Sequence, residues 1–289
     1  MKQLVGMVDL VAPVNRGYIM IELLDFRGGK TTINTSKFPN METMVDIKNI
    51  TGIDITTFIC YFESNDDLFN LMFLKKHFDY MGITDIHLAM YYFPYSRMDR
   101  YNNAYAFSLR GVCDFINSLN FKTVTIMEPH SDVVVSLIDR VRVLDYHSTS
   151  LHNVKQHIGF DKESDFLMFP DAGAQKRYAA FGDHNICVGN KVRDFKTGDI
   201  VSYNITNLSN SALEGKKVII MDDLCSKGGT FVGAYEVLKH IHNVDKVYLS
   251  VAHLETNVFN GIALDLLDGI FTSDSIIRAD HPKIHTFKY

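Results

Sequence analysis

The stretch that decides the fold reads Val218-Ile219-Ile220-Met221-Asp222-Asp223-Leu224-Cys225-Ser226-Lys227-Gly228-Gly229-Thr230. It opens with an apolar run typical of a buried strand, continues with two carboxylates and passes into a glycine-containing loop. Beyond the loop, apolar residues recur at roughly helical spacing, at Phe231, Ala234, Tyr235, Val237, Leu238 and Ile241. The stretch therefore predicts a strand-to-helix junction, with the helix beginning at Thr230, of the kind from which α/β folds are built.

The residue types of this loop suit a ribose phosphate. Vicinal carboxylates, here Asp222 and Asp223, accept hydrogen bonds from neighbouring ribose hydroxyls. Gly228 and Gly229 let backbone amides approach phosphate oxygens, and Thr230 can add a hydroxyl donor and cap the helix, whose positive end favours an anion. An ordinary acidic turn before a capped helix has the same pattern, so the loop alone leaves both alternatives open.

Short apolar runs alternate with helically periodic segments along the chain. Candidate strands cover residues 57–61, 85–91, 122–127, 165–169, 185–189, 217–221, 246–252 and 269–272, and candidate helices cover 67–80, 106–119, 230–242 and 258–266. Continuous apolar strands are typical of parallel sheets covered on both faces. We therefore predict an α/β protein of two similar domains, residues 1–147 and 148–289, divided at the polar stretch Asp145 to Asn153.

Composition narrows the class of protein. The chain has 289 residues, is 46% hydrophobic and carries a net charge of -5, so it has no general attraction for nucleic acid or anionic membranes. Its four cysteines lack disulfide or metal-ligand spacing, which suits a reducing compartment. No signal peptide and no apolar run of about 18 residues is apparent. We expect a cytoplasmic protein that binds neither nucleic acid nor membrane.

Charged residues follow several of the candidate strands. In α/β sheets, ligands bind outside the carboxyl ends of the strands. The segments found there are Tyr92 to Arg100, Glu128 to Asp132, Pro170 to Arg177 and Lys191 to Arg193. They carry the cations and carboxylates that phosphoryl transfer needs.

Together with the loop at Asp222, these segments resemble the ribose-phosphate pyrophosphokinases, also called phosphoribosyl pyrophosphate synthetases. The resemblance covers roughly residues 35 to 280, and it is carried by six ordered matches: residues 38–43, 93–100, His130, 170–173, 191–193 and 222–230. It implies two phosphoribosyltransferase-like domains. It also implies transfer of the β,γ-diphosphate of ATP to the anomeric hydroxyl of ribose 5-phosphate, with release of AMP.

The resemblance implies a role for each matched residue. The catalytic cations would be Lys191 and Arg193, followed by a flexible lid at 194–198, and the metal-binding positions for Mg²⁺ would be Asp171 and His130. The ATP-binding residues would be Phe38, Asn40, Glu42, Arg97 and Asp99. In the family, a neighbouring subunit lends the loop that matches residues 38–42, so a homo-oligomer with a shared ATP site is expected. The ribose-phosphate residues would be Asp222, Asp223, Ser226, Lys227, Gly228, Gly229 and Thr230.

Two positions of the phosphate loop depart from the family pattern. Ser226 stands where a third acid is usual, and Lys227 stands where a threonine is usual. The added positive charge suits either tighter binding of the 5-phosphate or a larger phosphate-linked group. Some phage-encoded relatives are thought to act on ADP-ribose in rebuilding NAD, so the acceptor is ribose 5-phosphate or ADP-ribose.

Other functions stay open at this point. A phosphoribosyltransferase shares this type of loop but has no ATP triphosphate to hold, and a noncatalytic regulatory relative has no need of Arg97, Asp171, Lys191 and Arg193. The chain stops at Tyr289, where family members continue into a further helix, and the segment after Arg100 lacks the family's charges. The family's regulatory phosphate or ADP site and its hexamer are therefore not carried over.

Overall fold

The structure is a computed structural model that describes residues 21–48, 50, 55–101, 104–193, 200–206 and 212–289. In chain order, the first half contains β1 (Ile21–Asp25), β2 (Lys30–Thr32), β3 (Asn34–Lys37), β4 (Thr43–Asp46), β5 (Ile55–Cys60), α1 (Asn65–Tyr80), β6 (His87–Ala89), α2 (Ser108–Ser118), β7 (Val124–Met127), α3 (Asp132–Leu137) and β8 (Val141–Leu144).

The second half contains the longer strands. In chain order its elements are α4 (Tyr146–Ile158), β9 (Phe166–Phe169), α5 (Ala172–Arg177), β10 (Ile186–Arg193), β11 (Ile200–Thr206), β12 (Lys217–Cys225), α6 (Gly229–His240), β13 (Lys246–Leu254), α7 (Ala263–Leu266), β14 (Gly269–Ser273) and β15 (Ile284–Phe287). Two short 3-10 helices accompany them, at Ala179–Phe181 and Thr256–Asn260.

Each half is organised around one sheet. The first sheet has the order β2-β1-β5-β6-β7-β8, in which β5 to β8 run parallel. The second has the order β11-β10-β9-β12-β13-β14-β15 and is parallel except for β11. Strands β3 and β4 form a separate antiparallel hairpin. The predicted α/β fold with two mainly parallel sheets is confirmed.

Strand β12 shows why its sequence is continuously apolar. Val218 and Ile220 pack in one buried cluster with residues of α6, while Ile219 and Met221 pack in another with residues of α4 and α5. Side chains on a strand point alternately to opposite faces, so both faces of this strand are covered by helices. Asp222 and Asp223 are therefore held near the end of a strand at the centre of the sheet.

The polar stretch predicted to divide the domains is a helix. Asp145 caps α4, its carboxylate accepting a hydrogen bond from the backbone N–H of Ser148 at 2.9 Å. Residue 147 lies in the first turn of this helix, and the division at that residue stays a prediction. The two halves meet at one buried cluster, which contains Met127 of β7, Tyr146 of α4 and Ala252 of β13.

The prediction of a single helix over residues 258–266 was wrong. The chain forms the 3-10 turn at Thr256–Asn260, becomes extended at Gly261 and resumes as the short helix α7. Gly261 passes so close to the phosphate loop that a Cβ on it would lie 2.2 Å from the carbonyl oxygen of Lys227. This backbone contact interrupts the helical pattern.

The other predicted helices are confirmed as α1, α2 and α6, while α3, α4 and α5 were not predicted. All four cysteines are free and buried, and burial raises the pKa of the Cys225 thiol to about 12. Across the described residues, every helix is too short or too polar to cross a lipid bilayer.

Candidate functional site

Three neighbouring strands of the second sheet bring charged side chains to one cavity. Strands β10, β9 and β12 lie side by side, and their carboxyl ends supply Lys191, Asp171 and the pair Asp222 and Asp223. These residues line a cavity of about 860 Å³ together with the loop that follows β12. The structure thus brings these strand-end residues to one cavity, and their role in a functional site stays a prediction.

The two carboxylates of the loop differ in their surroundings. Asp223 is 4% exposed, and its oxygens lie 2.7 Å from Nδ1 of His130 and 2.6 Å from Nη1 of Arg177. Burial alone would raise the pKa of Asp223, but the hydrogen bond from His130 and the charge of Arg177 lower it well below its usual range. Asp223 is therefore an ionised acceptor held between Arg177 and His130.

Asp222 behaves in the opposite way. Burial and the negative charge of Asp223 raise its pKa well above the ordinary value, and Asp171 adds to the effect. Its carboxylate oxygen Oδ1 accepts the backbone N–H of Asp223 at 3.0 Å. A cation or a hydroxyl donor placed beside Asp222 would therefore stabilise its ionised form.

The glycines of the loop have two different structural roles. Gly228 has φ +83°, and a Cβ on it would lie 2.5 Å from the Cβ of Ala263, so both its conformation and its surroundings require glycine. Gly229 has no atom within 4 Å of the place a Cβ would take. Gly228 and Gly229 both line the cavity, so a ligand there can approach the backbone at the start of the helix.

Thr230 does not cap the helix, so that prediction was wrong. The N-cap is Gly228 and α6 begins at Gly229, which makes Thr230 the second helical residue. A left-handed glycine turns the chain directly into the helix, so no side-chain cap is formed. The hydroxyl of Thr230 still lines the cavity and remains available to a ligand.

The two unusual loop residues are placed differently. Ser226 is partly buried, and its hydroxyl accepts a hydrogen bond from Nδ2 of Asn257 at 2.9 Å. Lys227 is exposed at the wall of the cavity, and within the described residues its ammonium group has no hydrogen-bond or ion-pair partner. A free cation thus stands at the mouth of the loop.

Lys191 and Asp171 form an ion pair across the same cavity, with 2.5 Å between Nζ and Oδ2. Asp171 also caps α5 by accepting the N–H of Ala174 at 2.9 Å. Burial opposes ionisation of Asp171, yet the hydrogen bonds from Lys191 and Ala174 lower its pKa. Arg193 ends β10, but its side chain and the predicted lid at 194–198 lie outside the described part of the chain.

Arg97 and Asp99 lie after β6 of the first sheet. The guanidinium Nη2 of Arg97 forms an ion pair with Oε1 of Glu255 from the second half. Asp99 accepts hydrogen bonds from Nε of Arg100 at 2.8 Å and from Oγ of Ser131 at 2.7 Å, and chiefly the first of these lowers its pKa. Beside Arg97 is a second cavity of about 460 Å³, whose aromatic walls are Phe62, Tyr92 and Tyr95.

Phe38, Asn40 and Glu42 form the exposed tip of the β3–β4 hairpin. The N–H of Phe38 donates to the carbonyl of Glu42 at 2.9 Å, and the N–H of Glu42 donates to Oδ1 of Asn40 at 3.3 Å. The Phe38 ring is 50% exposed, and none of the three residues lines either cavity. Within one chain, the structure does not bring these predicted ATP residues to the others.

Sequence reasoning missed Arg177 and a buried network behind it. Glu128 accepts hydrogen bonds from Nδ1 of His147 at 2.9 Å and from the hydroxyl of Tyr178 at 2.8 Å, and Nε2 of His147 donates to the carbonyl of Ser250 at 3.0 Å. Arg177 was visible only as the last charge of a strand-end segment. His147 gave no signal, because it lay in the stretch predicted to be a domain boundary.

The network is charged despite its burial. Desolvation alone would raise the pKa of Glu128 and lower that of His147, but their mutual attraction and hydrogen bonds lower the first and raise the second. Tyr178, which belongs to the network, directly follows Arg177, so the network helps to position the Arg177 side chain that pairs with Asp223. Its hydrogen bonds also link the two halves of the molecule, because they join Glu128 to His147 and His147 to Ser250.

The predicted metal positions have separate partners, His130 at Asp223 and Asp171 at Lys191. Among the residues that the structure describes, no group of three or more His, Cys, Asp or Glu side chains is placed to hold a metal ion. Mg²⁺, however, needs only one or two carboxylates when phosphate oxygens and water complete its shell. Asp171 and Asp222, which share one cavity and repel each other, suit such a cation.

Known proteins resemble this chain in sequence and in fold. The ribose-phosphate pyrophosphokinase of Sulfolobus acidocaldarius is 26% identical over 223 residues, covering 75% of this chain and 74% of its own length. The enzyme of that name from a Marinomonas species is 26% identical over 260 residues, covering 86% and 79%. The phosphoribosylpyrophosphate synthetase structure from Mycobacterium smegmatis superposes with a TM-score of 0.72 at 17% identity, covering 89% of this chain and 86% of that one. No protein-family model matches the chain.

Proposed function

We propose that the chain belongs to the ribose-phosphate pyrophosphokinase family and that it transfers the β,γ-diphosphate of ATP to the anomeric hydroxyl of a ribose 5-phosphoryl acceptor. The hydroxyl oxygen bonds to the β-phosphorus, the bond from that phosphorus to the α,β-bridging oxygen breaks, AMP leaves, and the hydroxyl proton passes to the solvent. The observation that carries the proposal is the single cavity that gathers Lys191, Asp171, Asp222 and the phosphate loop.

The phosphate loop would hold the acceptor. Asp222 and Asp223 would accept hydrogen bonds from two ribose hydroxyls, while Arg177 keeps Asp223 ionised and oriented. The 5-phosphate would lie against the open N–H groups at Gly229 and the hydroxyl of Thr230, where the helix dipole favours an anion. The anomeric hydroxyl would then point back into the cavity toward Lys191.

Lys191 and Arg193 are the proposed catalytic cations. Phosphoryl transfer depends on positioning and on stabilising the charge of the transferring group, which cations aimed at its oxygens supply. Lys191 already reaches into the cavity, where Asp171 holds its ammonium group. Mg²⁺, held by Asp171 with His130 nearby, would neutralise charge on the phosphates when bound.

ATP would approach from the first half. Arg97 would contact its phosphates, and Asp99, fixed by Ser131 and Arg100, would orient the segment that carries Arg97. Phe38, Asn40 and Glu42 would bind the adenine of a neighbouring subunit's ATP, because the tip of their hairpin faces solvent in its own chain. A homo-oligomer with ATP sites at its interfaces is therefore part of the proposal.

Two acceptors remain candidates, and Lys227 bears on the choice. Its ammonium group, which has no partner among the described residues, would pair with the second phosphate of ADP-ribose or with the single phosphate of ribose 5-phosphate. The family name favours ribose 5-phosphate. The absence of an acid at Ser226 leaves more room for a diester.

The test supplies purified protein with Mg²⁺ and ATP, adds ribose 5-phosphate, ADP-ribose or no acceptor, and follows AMP. We expect AMP only when an acceptor is present, and the faster acceptor identifies the substrate. Lys227→Thr, which restores the usual family residue, is expected to lower activity with ADP-ribose more than with ribose 5-phosphate if the diester is the substrate. Equal AMP release with and without acceptor would contradict the proposal.

A further inference from the structure

An ion pair crosses between the two halves of the molecule at the ATP side of the site. It joins Arg97, in the segment after β6, to Glu255, the first residue after β13. The two side chains are 44% and 22% exposed, so water reaches the pair but does not surround it. The carboxylate of Glu255 is therefore paired with the guanidinium of Arg97, which the proposed function assigns to the phosphates of ATP.

Hydrogen bonds to neighbouring elements fix the position of the segment that carries Glu255. Its backbone N–H donates to the carbonyl of Cys225, the last residue of β12, at 2.9 Å. Two residues later, Asn257 donates to the hydroxyl of Ser226 at 2.9 Å. The segment that carries the carboxylate is thus attached at two points to the base of the phosphate loop.

The same segment is also packed against the loop further on. Gly261 has no space for a side chain because the carbonyl of Lys227 lies beside it, and Ala263 lies against Gly228. These contacts fix the path of the chain from residue 255 to residue 263. The carboxylate of Glu255 is therefore presented to Arg97 at little further cost in chain entropy.

We propose that Glu255 is an internal competitor of ATP, whose carboxylate occupies the Arg97 guanidinium until the triphosphate displaces it. This inference rests on the proposed function, because it takes ATP as the ligand of Arg97. Any anion that needs Arg97 binds only to the fraction of molecules in which the pair is open, so its affinity is reduced by that fraction. A ligand that makes no use of Arg97 is unaffected.

The proposed competition predicts how removing the charge of Glu255 changes the affinities for ATP, tripolyphosphate and adenosine. Glu255→Gln keeps the shape of the side chain and removes its charge. In calorimetric titrations without acceptor, this variant should bind ATP about threefold to fivefold more tightly than the unsubstituted protein, the scale of a partly exposed ion pair. Tripolyphosphate, which carries the anion alone, should gain by a similar factor. Adenosine, which lacks the anion, should bind equally to both proteins.

Two further variants make the result decisive. Glu255→Ala should reproduce the gain, while Glu236→Gln, which removes a carboxylate paired with His240 on exposed α6, should change none of the three affinities. Unchanged ATP affinity in both Glu255 variants would overturn the inference, and so would an equal gain for adenosine, which would indicate a general change of the site. If the unsubstituted protein bound no ATP, the proposed function itself would fail.

Discussion

The loop that follows β12 is enclosed by its own chain, whereas the tip of the β3–β4 hairpin stands in solvent. Asp223, near the end of β12, is 4% exposed, and Gly228 in the loop is fixed by a contact with Ala263. At the hairpin tip, Phe38 is 50% exposed, and the hydrogen bonds of residues 38–42 are made within the turn. Both elements carry residues that the sequence assigns to substrates.

This difference distinguishes the acceptor side of the proposed site, which one chain assembles, from the nucleotide side, which it does not. The acceptor side has its carboxylates, glycines and cations converging on one cavity before any ligand arrives. On the proposed nucleotide side, Arg97 is engaged by Glu255, and Phe38, Asn40 and Glu42 line neither cavity. We infer that the acceptor side is preorganised, whereas the residues proposed to bind ATP are not gathered in one cavity of this chain.

The largest effect is expected at Lys191, on the preorganised side. Lys191→Ala should lower kcat about 10²- to 10³-fold, the usual result of removing one group that stabilises charge in the transition state. The midpoint of urea unfolding should change little, because the side chain pairs only with a partly exposed carboxylate.

Lys176→Ala is the matched control for that variant. Lys176 lies on α5 near the same carboxyl end but is 84% exposed, and its nearest carboxylate, of Asp132, is 3.6 Å away. Its removal should leave kcat unchanged. Equal losses in the two variants would mean that Lys191 acts only through overall charge.

Adjacent glycines test how the loop is built. Gly228→Ala should lower the free energy of unfolding by about 1–3 kcal/mol, because the left-handed conformation resists a Cβ and Ala263 blocks it. Gly229→Ala has open space and should fold normally, but the new methyl group would enter the cavity and raise the KM for the acceptor about tenfold. Denaturation curves and acceptor titrations separate the two effects, and a stability loss at Gly229 would contradict this description of the loop.

The joint between the halves should show a defined pH dependence. The lowered pKa of Glu128 means that its contribution is present above its usual value of 4.5 and is lost as pH falls through the folded-state value. The raised pKa of His147 means that its contribution is complete below 6.5 and is lost as pH rises through the folded-state value. The pair therefore stabilises most between pH 4.5 and 6.5.

His147→Gln is the variant that measures this contribution. The loss of unfolding free energy that it causes should be larger at pH 5.5 than at pH 9. A constant loss at both pH values would mean that His147 contributes by packing alone.

The smallest effect on the isolated fold is expected at the hairpin. Phe38→Ala should change the free energy of unfolding by less than about 0.5 kcal/mol, as is usual for an exposed residue. It should raise the KM for ATP several-fold, because stacking on the purine is lost. Phe26→Ala, at another exposed phenylalanine, should leave the KM unchanged. An unchanged KM in the Phe38 variant would remove the hairpin from the ATP site.

The sequence predicted those parts of the fold and site that local patterns determine. The apolar run before Asp222 placed β12 at the centre of a covered sheet, and the positions of charged segments after strands located the cavity. Thr230 was wrongly expected to cap the helix, because the role of Gly228 depends on its contact with Ala263, which is distant in sequence. The same limit applies to His147 and Glu255, whose partners come from the other half of the molecule.

The most direct test of the central claim follows the γ-phosphate of ATP. Protein is incubated with Mg²⁺, an acceptor and ATP labelled at the γ-phosphorus, and the products are separated. The account predicts that the label appears in a diphosphate attached to the acceptor, with one AMP released for each labelled product. Label found as free phosphate, or as diphosphate formed equally well without an acceptor, would contradict it.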